Sequence, residues 1–354
     1  MARNDEGEAV ELEDAQRLPG AVPPRRVHSR LIVAVLLAVA LAAVAAGLAL
    51  ARTRPASIGT GVVVIDTDLG YQDGRAAGTG MVLTSSGLVL TNNHVIRDAT
   101  AIRVVLPSSG RSYRARVVGY DVTDDVAVLQ ASGASNLKTI SVGDSATVST
   151  GESVKALGNA GGTGSLTSAS GSVTGVNRAI TVSDDQGGSE HLTGLIQTSA
   201  AVRPGDSGGP LLNAAGQVVG MDTAASMGDG TASQGFAIPI NRAVPIANQI
   251  VRGEASATVH VGDTAFLGVE VSGDTVYGSG AVVTAVVPGS PADAAGLSAG
   301  DLITSVGGRA ISSPSGLTAF VMTQTPGAPL STTFIDQAGT TRTTNLRLAS
   351  GPPR

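Results

Sequence analysis

The chain has 354 residues, of which only 2% are aromatic while 47 are glycine, and its net charge is −5. That length allows two or three domains, and the glycine-rich, aromatic-poor mix suits short strands and tight turns. There is no cysteine, which excludes disulfides, thiolate nucleophiles and Cys-based metal sites, and no long basic patch that would point to nucleic acid.

Residues 1–30 are acidic at first (Asp5, Glu6, Glu8, Glu11, Glu13, Asp14), then carry Pro19, Pro23 and Pro24, the composition of a disordered tail. Leu31 to Ala51 is an uncharged run of 21 apolar or small residues, and residues 31–52 are predicted to form a transmembrane helix. Five arginines lie on its N-terminal side, so the N-terminus is expected in the cytoplasm and the remainder outside the cell membrane. Ala49-Leu50-Ala51 offers a cleavage site for a signal peptide. The apolar run is longer than the roughly 7–15 residues of a signal h-region, so a retained single-pass anchor is the reading taken.

From Ala56 to about Ile240 the pattern is all-β. Short β-branched runs such as Gly61–Ile65, Met81–Leu83 and Ile102–Leu106 are bounded by Gly, Ser, Asp or Pro. Asn241 to Arg252 reads as a closing helix, with Asn241 as its cap, Pro245 in its first turn and Gly253 as its stop. Residues 254–261 read as a small-residue linker, 262–349 as a second globular unit, and Gly351-Pro352-Pro353-Arg354 as a loose tail.

Three segments carry the parts that peptide hydrolysis needs: a nucleophile, a base to take its proton, and donors for the oxyanion. Gly205-Asp206-Ser207-Gly208-Gly209-Pro210 offers Ser207 as nucleophile, with the N–H groups of Gly205 and Ser207 as an oxyanion hole. Thr91-Asn92-Asn93-His94-Val95-Ile96 follows an apolar strand and offers His94 as base; His28, His191 and His260 have no such context. Asp124-Asp125-Val126-Ala127-Val128-Leu129 places an acid against an apolar strand start. Asp125 is chosen to orient His94, with Asp121 and Asp124 as alternatives and the two not used expected to be solvated turn carboxylates. The order His, Asp, Ser is that of chymotrypsin.

With Gly78-Thr79-Gly80, Leu157-Gly158-Asn159, Gln197-Thr198 and Gly235–Ile240, these segments make residues 58–253 resemble the HtrA/DegP family of trypsin-like serine proteases, in flavour its actinobacterial membrane-anchored PepA/PepD type. The resemblance implies a chymotrypsin-like double six-stranded β-barrel with the site in the cleft between barrels. It further implies a P1 pocket lined by Val202, Phe236, Ala237 and Ile238, apolar and suited to small or medium apolar side chains; with no His-Glu-x-x-His run and no cysteine, no metal or cofactor is expected. Family relatives form trimers through aromatics near the start of this domain; a homotrimer is therefore a possible assembly, although Tyr71 is the only aromatic before the His94 motif. Two positions depart from the pattern. Asp206 stands where the family often has Asn, and it is expected to have some partner other than a freed N-terminus. Ser199 stands where an Asp is common.

Gly289-Ser290-Pro291-Ala292-Asp293-Ala294-Ala295-Gly296-Leu297, leading into Ser298–Ile303, resembles the PDZ domains of bacterial proteases, small α+β units. The resemblance implies that the N–H groups of Leu267, Gly268 and Val269 capture a peptide C-terminus, which adds as a strand beside Val269–Val271. Leu317 and Val321, four apart on a helix over Pro314 to Thr323, either pocket its last side chain or belong to the core. Protein and peptide substrates, peptide C-termini and a membrane are the partners expected. A non-cleaving PDZ scaffold or holdase is the competing reading, to be separated by whether the triad is complete.

Overall fold

The computed structural model describes residues 59–183, 189–226, 234–273 and 279–354. Residues 56–354 form one compact unit. The tail and the transmembrane helix expected over 1–30 and 31–52 lie outside the described residues, among which no helix is long and apolar enough to cross a membrane.

Two six-stranded barrels follow one another, as expected. The first contains β1 (Val62–Leu69), β2 (Gly74–Val82), β3 (Leu88–Thr91), β4 (Ala101–Val105), β5 (Ser112–Asp121) and β6 (Val126–Ala131) in the order β5-β4-β1-β2-β3-β6, and a β5–β6 pairing closes the ring. The second closes as β10-β11-β12-β9-β8-β7 from β7 (Ser153–Gly158), β8 (Thr167–Ser183), β9 (Ser189–Thr198), β10 (Pro210–Leu212), β11 (Val218–Ser226) and β12 (Gln234–Pro239).

Strand alternation explains how the barrels meet. On β6, Ala127, Leu129 and Ala131 enter the first barrel's core with Ile65, Val104 and Tyr120. Val126 and Val128, on the opposite face, join a cluster with Leu195, Met221, Phe236 and Ile238 of the second barrel. Each fully buried side chain of this kind contributes about 1.5–3 kcal/mol. The seam between the barrels is thus a continuous apolar cluster, which fixes the cleft.

Between β3 and β4 lies the short helix α1 (Asn93–Ile96), and after β12 comes α2 (Ile240–Val251). The closing helix exists, but its cap differs from expectation. Pro239 occupies the cap position, and Asn241 lies inside the helix. The Asn241 side chain instead donates to Asp144 Oδ1 at 2.6 Å and accepts from the Ser145 N–H at 3.2 Å, tying the helix to a neighbouring turn.

Nor is the segment after α2 only a linker. Val259–Val261 forms β13, which pairs antiparallel with Asp121, Tyr120 and Gly119 on β5 and extends the first barrel's sheet by a strand. A Cβ on Gly119 would run into the His260 carbonyl, so the close approach requires glycine there.

The second unit is a small α+β fold. β15 (Val269–Ser272), β16 (Ala281–Val286), β17 (Leu302–Val306), β19 (Pro329–Ile335) and β20 (Thr341–Arg347) form a sheet in that order, with β18 (Arg309–Ala310) on β17. β14 (Thr264–Phe266) pairs with β21 (Ala349–Gly351), and α3 (Pro291–Ala294) and α4 (Pro314–Met322) complete the unit.

Residues 351–354 are not loose. After β21 the Pro353 carbonyl accepts from the Asp98 N–H at 2.8 Å, and the Arg354 carbonyl accepts from Asn93 Nδ2 at 2.8 Å. Backbone carbonyls provide both contacts, so composition gives no sign of them. The second unit also meets the first barrel where Tyr71 stacks on Phe266, with ring centroids 5.4 Å apart and planes within 4°.

Candidate active site

Helix α1 delivers His94 at the end of β3. Val95 and Ile96 are buried beneath it, while the imidazole keeps 27% of its surface exposed. Asp125 sits in the turn between β5 and β6 with φ +51°, a left-handed conformation that Asp tolerates better than most residues. Asn92 Nδ2 donates to the Asp125 carbonyl at 2.9 Å and holds that turn against the strand end carrying His94.

The Asp125 carboxylate is only 1% exposed and is well supplied with donors. The His94 backbone N–H donates to Oδ1 at 3.0 Å, His94 Nδ1 lies 2.9 Å from Oδ2, and the Thr223 hydroxyl donates to Oδ2 at 2.6 Å. A carboxylate at Nδ1 fixes the tautomer with the proton there, which makes Nε2 the ring nitrogen that can accept a proton. Ser207 Oγ donates to the Thr223 carbonyl at 3.1 Å. Thr223 therefore touches both the acid and the hydroxyl, and it links β11 to the first barrel.

The glycines around Ser207 answer to specific contacts. Gly205 has φ +97°, and a Cβ there would run into the Asn159 carbonyl. Gly208 has φ +84°, and its Cβ would meet the Thr79 carbonyl and Thr91 Oγ1. Thr79 Oγ1 donates to the Gly205 carbonyl at 2.7 Å and accepts from the Asn159 N–H at 2.9 Å, and the Thr79 N–H donates to the Ser207 carbonyl at 2.9 Å. The loop bearing the Gly205 and Ser207 N–H groups is thus fastened to β2 and to the end of β7. A cavity of about 550 Å³ opens beside it, lined in part by Ala77, Gly161, Gly162, Pro204 and Gly205.

The two alternative acids have other roles. Asp121, expected as a solvated turn carboxylate if not used, is 1% exposed. It accepts from the N–H groups of Thr123 and Asp124 and from the Thr258 hydroxyl, so it closes the β5–β6 turn and anchors the start of β13. Asp124 lies 3.5 Å from Arg242; burial and the nearby Asp121 charge push its carboxyl up, opposed by Arg242. Ser199 Oγ accepts from the Ser172 N–H at 3.0 Å.

Of the four residues expected to line a P1 pocket, Val202 and Ala237 fall in one buried cluster, and Phe236 and Ile238 in the cluster joining the barrels. Period-two alternation on β12 puts Ala237 on the opposite face from its two neighbours. In the second unit, Gly268 has φ +86° and its Cβ would collide with the Ser290 side chain. The Gly268 carbonyl accepts from the Val287 N–H at 3.0 Å and from Ser290 Oγ at 3.3 Å, while Ser290 caps α3. The Leu267–Gly268–Val269 loop is thereby set by the Gly289–Leu297 motif. Leu317 and Val321 are buried members of that unit's core.

Sequence reasoning missed Thr223 and Asn92. Thr223 sits in an ordinary strand pattern, and no motif in the sequence marks it. Asn92, inside the His94 motif, could have been found as a polar residue at a buried strand end.

A family model for the trypsin-like peptidase domain matches residues 78–221, and one for the PDZ domain matches residues 282–334. The chain is 37% identical over 305 residues to the serine protease PepD of Mycobacterium tuberculosis, a match covering 81% of this chain and 63% of PepD. It is 35% identical to the Do-like serine protease HtrB of Bacillus subtilis, covering 73% of this chain and 58% of HtrB. A solved structure of the HtrA-type protease AlgW with a tripeptide is 29% identical with a TM-score of 0.49, covering 84% of this chain and 95% of that one. The chain spans between half and two thirds of the length of these curated relatives. The chain thus carries a trypsin-like peptidase domain followed by a PDZ domain, and the curated relatives it is similar to are serine proteases.

Proposed function

We propose that this protein is a serine endopeptidase in which Ser207 attacks the scissile carbonyl, His94 Nε2 takes its proton, and Asp125 holds the imidazole and stabilises its charged form. The carrying observation is the buried Asp125 carboxylate, which accepts from His94 Nδ1 at 2.9 Å and from the same Thr223 whose carbonyl accepts from Ser207 Oγ. Three sequence segments thus converge through one strand residue. The developing oxyanion is bound by the N–H groups of Gly205 and Ser207, in a loop whose backbone Thr79 fastens. The proton taken by His94 then passes to the leaving amine, and water repeats the cycle on the acyl enzyme.

Apolar Val202, packed over Gly235, and Ala237 favour a small or medium apolar P1 side chain. The PDZ unit binds peptide C-termini at Leu267, Gly268 and Val269, supported by the position of β15 at the end of its sheet, where a peptide adds as a further strand. The apolar run Leu31–Ala51, with arginines on both flanks, anchors the enzyme in the cell membrane with both domains outside, where misfolded or damaged exported proteins are the substrates.

Casein cleavage by the full chain and its Ser207→Ala variant tests the assignment. Loss of a triad nucleophile costs on the order of 10⁶ in kcat. Equal cleavage by both proteins would refute it and favour the scaffold reading.

A further inference from the structure

Behind Ser207 lie two buried carboxyl groups with too few donors. Asp206 is 5% exposed; its Oδ2 accepts from the Arg203 N–H at 2.9 Å, while Oδ1 has no partner. Asp222 on β11 is wholly buried, and neither of its oxygens has a well-formed hydrogen bond, the Leu157 N–H of β7 being the donor that faces them.

The backbone stitches these residues together. The Gly208 N–H donates to the Asp222 carbonyl, the Asp222 N–H to the Gly209 carbonyl, and the Gly209 N–H to the Asp206 carbonyl, each at 2.8 Å. From β7, Gly158 closes the space, since a Cβ there would lie 2.6 Å from Asp206 Oδ1. The surrounding elements bring few charges. β7 offers the Leu157 N–H to Asp222, β2 the neutral Thr79 beside Gly158, and β12 Ala237 opposite Asp222. Arg203 is the cation that acts on Asp206.

We propose that Asp206 and Asp222 share one proton, forming an acid–carboxylate pair that ties the Ser207 loop to β11, and that Asp222 is thereby a positioning residue for the reaction. Two buried carboxyl groups that act on each other in a desolvated space cannot both ionise. One proton between them supplies the donor that Asp206 Oδ1 lacks and gives a charge-assisted hydrogen bond. Burial pushes Asp222 well up, the Asp206 charge adds to this, and the Leu157 N–H opposes it. Asp206 is also raised by burial, opposed by the Arg203 N–H and guanidinium, so Asp222 is the member that carries the proton. The residue after Asp222 is Thr223, so adjacent β11 positions hold the loop beside the nucleophile and the acid behind the base. The inference rests on reading Ser207 as the nucleophile.

Infrared difference spectra of the full chain and its Asp222→Asn variant at neutral pH test the pair directly. The parent should show the carbonyl stretch of a neutral carboxylic acid that the variant lacks; absence of that band means two carboxylates and overturns the proposal. In kinetics on a peptide substrate, Asp222→Leu, which cannot donate, should lose on the order of 10² in kcat, the scale of a lost oxyanion donor. Asp222→Asn, a permanent donor, should recover most of that loss, and equal kcat for the two variants overturns the positioning role.

Should Asp222→Leu not fold, stability against pH still decides. Folded Asp222 keeps a proton that the unfolded chain releases above its ordinary pKa of 3.8. The parent must therefore lose stability relative to Asp222→Asn as pH rises above that value, and a flat difference up to neutral pH overturns the pair. Casein cleavage by Ser207→Ala would undo the nucleophile assignment while leaving the infrared result standing, so the two failures are distinguishable.

Discussion

Thr223 donates its hydroxyl to Asp125 Oδ2 at 2.6 Å, across the boundary between the two barrels. A hydrogen bond to a charged group contributes about 1.5–3 kcal/mol, and here it holds the carboxylate that orients His94. Thr223→Val should therefore lower kcat about 10- to 100-fold with KM little changed, and Thr223→Ser should restore most of the rate. Steady-state kinetics on one peptide decide; a Val variant as fast as the parent would remove Thr223 from the machinery.

Gly205→Ala should cost activity more than stability. Its φ of +97° and the Asn159 carbonyl in the path of a Cβ force the loop to shift. The shift displaces the Gly205 N–H and should lower kcat on the order of 10²- to 10³-fold, as loss of an oxyanion donor does. A variant with normal kcat would mean that the donor lies elsewhere.

Tyr120 gives an alkaline signature of the contact between barrel and PDZ domain. It is fully buried, and its hydroxyl lies 3.1 Å from Thr264 Oγ1. Burial pushes the phenol up from its ordinary value of 10.0, opposed by Thr264 and Arg354. With the folded value raised, the stabilisation is complete below about pH 10 and is lost as pH rises through the folded value. Tyr120→Phe should thus melt a few degrees lower at neutral pH, for a loss of about 1 kcal/mol. The gap should narrow above about pH 10, and thermal melts at neutral and alkaline pH would show a constant gap if this were wrong.

Gly268→Ala should weaken capture of a peptide C-terminus about tenfold or more, the effect of 1–3 kcal/mol of backbone strain in the loop. Fluorescence anisotropy with a labelled peptide measures it. Unchanged affinity would place the peptide site away from this loop.

Much of this was legible from the residues. The all-β character followed from short bounded strands, the two barrels only from the family resemblance, and the pairing of Asp125 with His94 from an acid set against an apolar strand start, where Asp121 and Asp124 stood as alternatives. What escaped was what depends on tertiary approach. Val259–Val261 reads as linker because a strand of three residues has no period; it becomes β13 only because β5 offers an edge and Gly119 permits contact. Asn241 has the chemistry of a cap, yet Asp144 and the Ser145 N–H, distant in sequence, compete for its amide. Asp206 was expected to have a partner other than a freed N-terminus, but nothing in the sequence identified Asp222, a strand residue that no motif marks.

The docking of Pro353 and Arg354 on Asp98 and Asn93 changes how a domain-removal experiment has to be designed. Ending the chain near residue 262 would discard the PDZ domain together with the bond to Asn93, next door to His94, and with the Thr264 partner of Tyr120. A shortened enzyme that lost activity would then report a loosened histidine helix as readily as lost peptide sensing. A single groove change such as Gly268→Ala, with residues 353–354 still seated, separates the two.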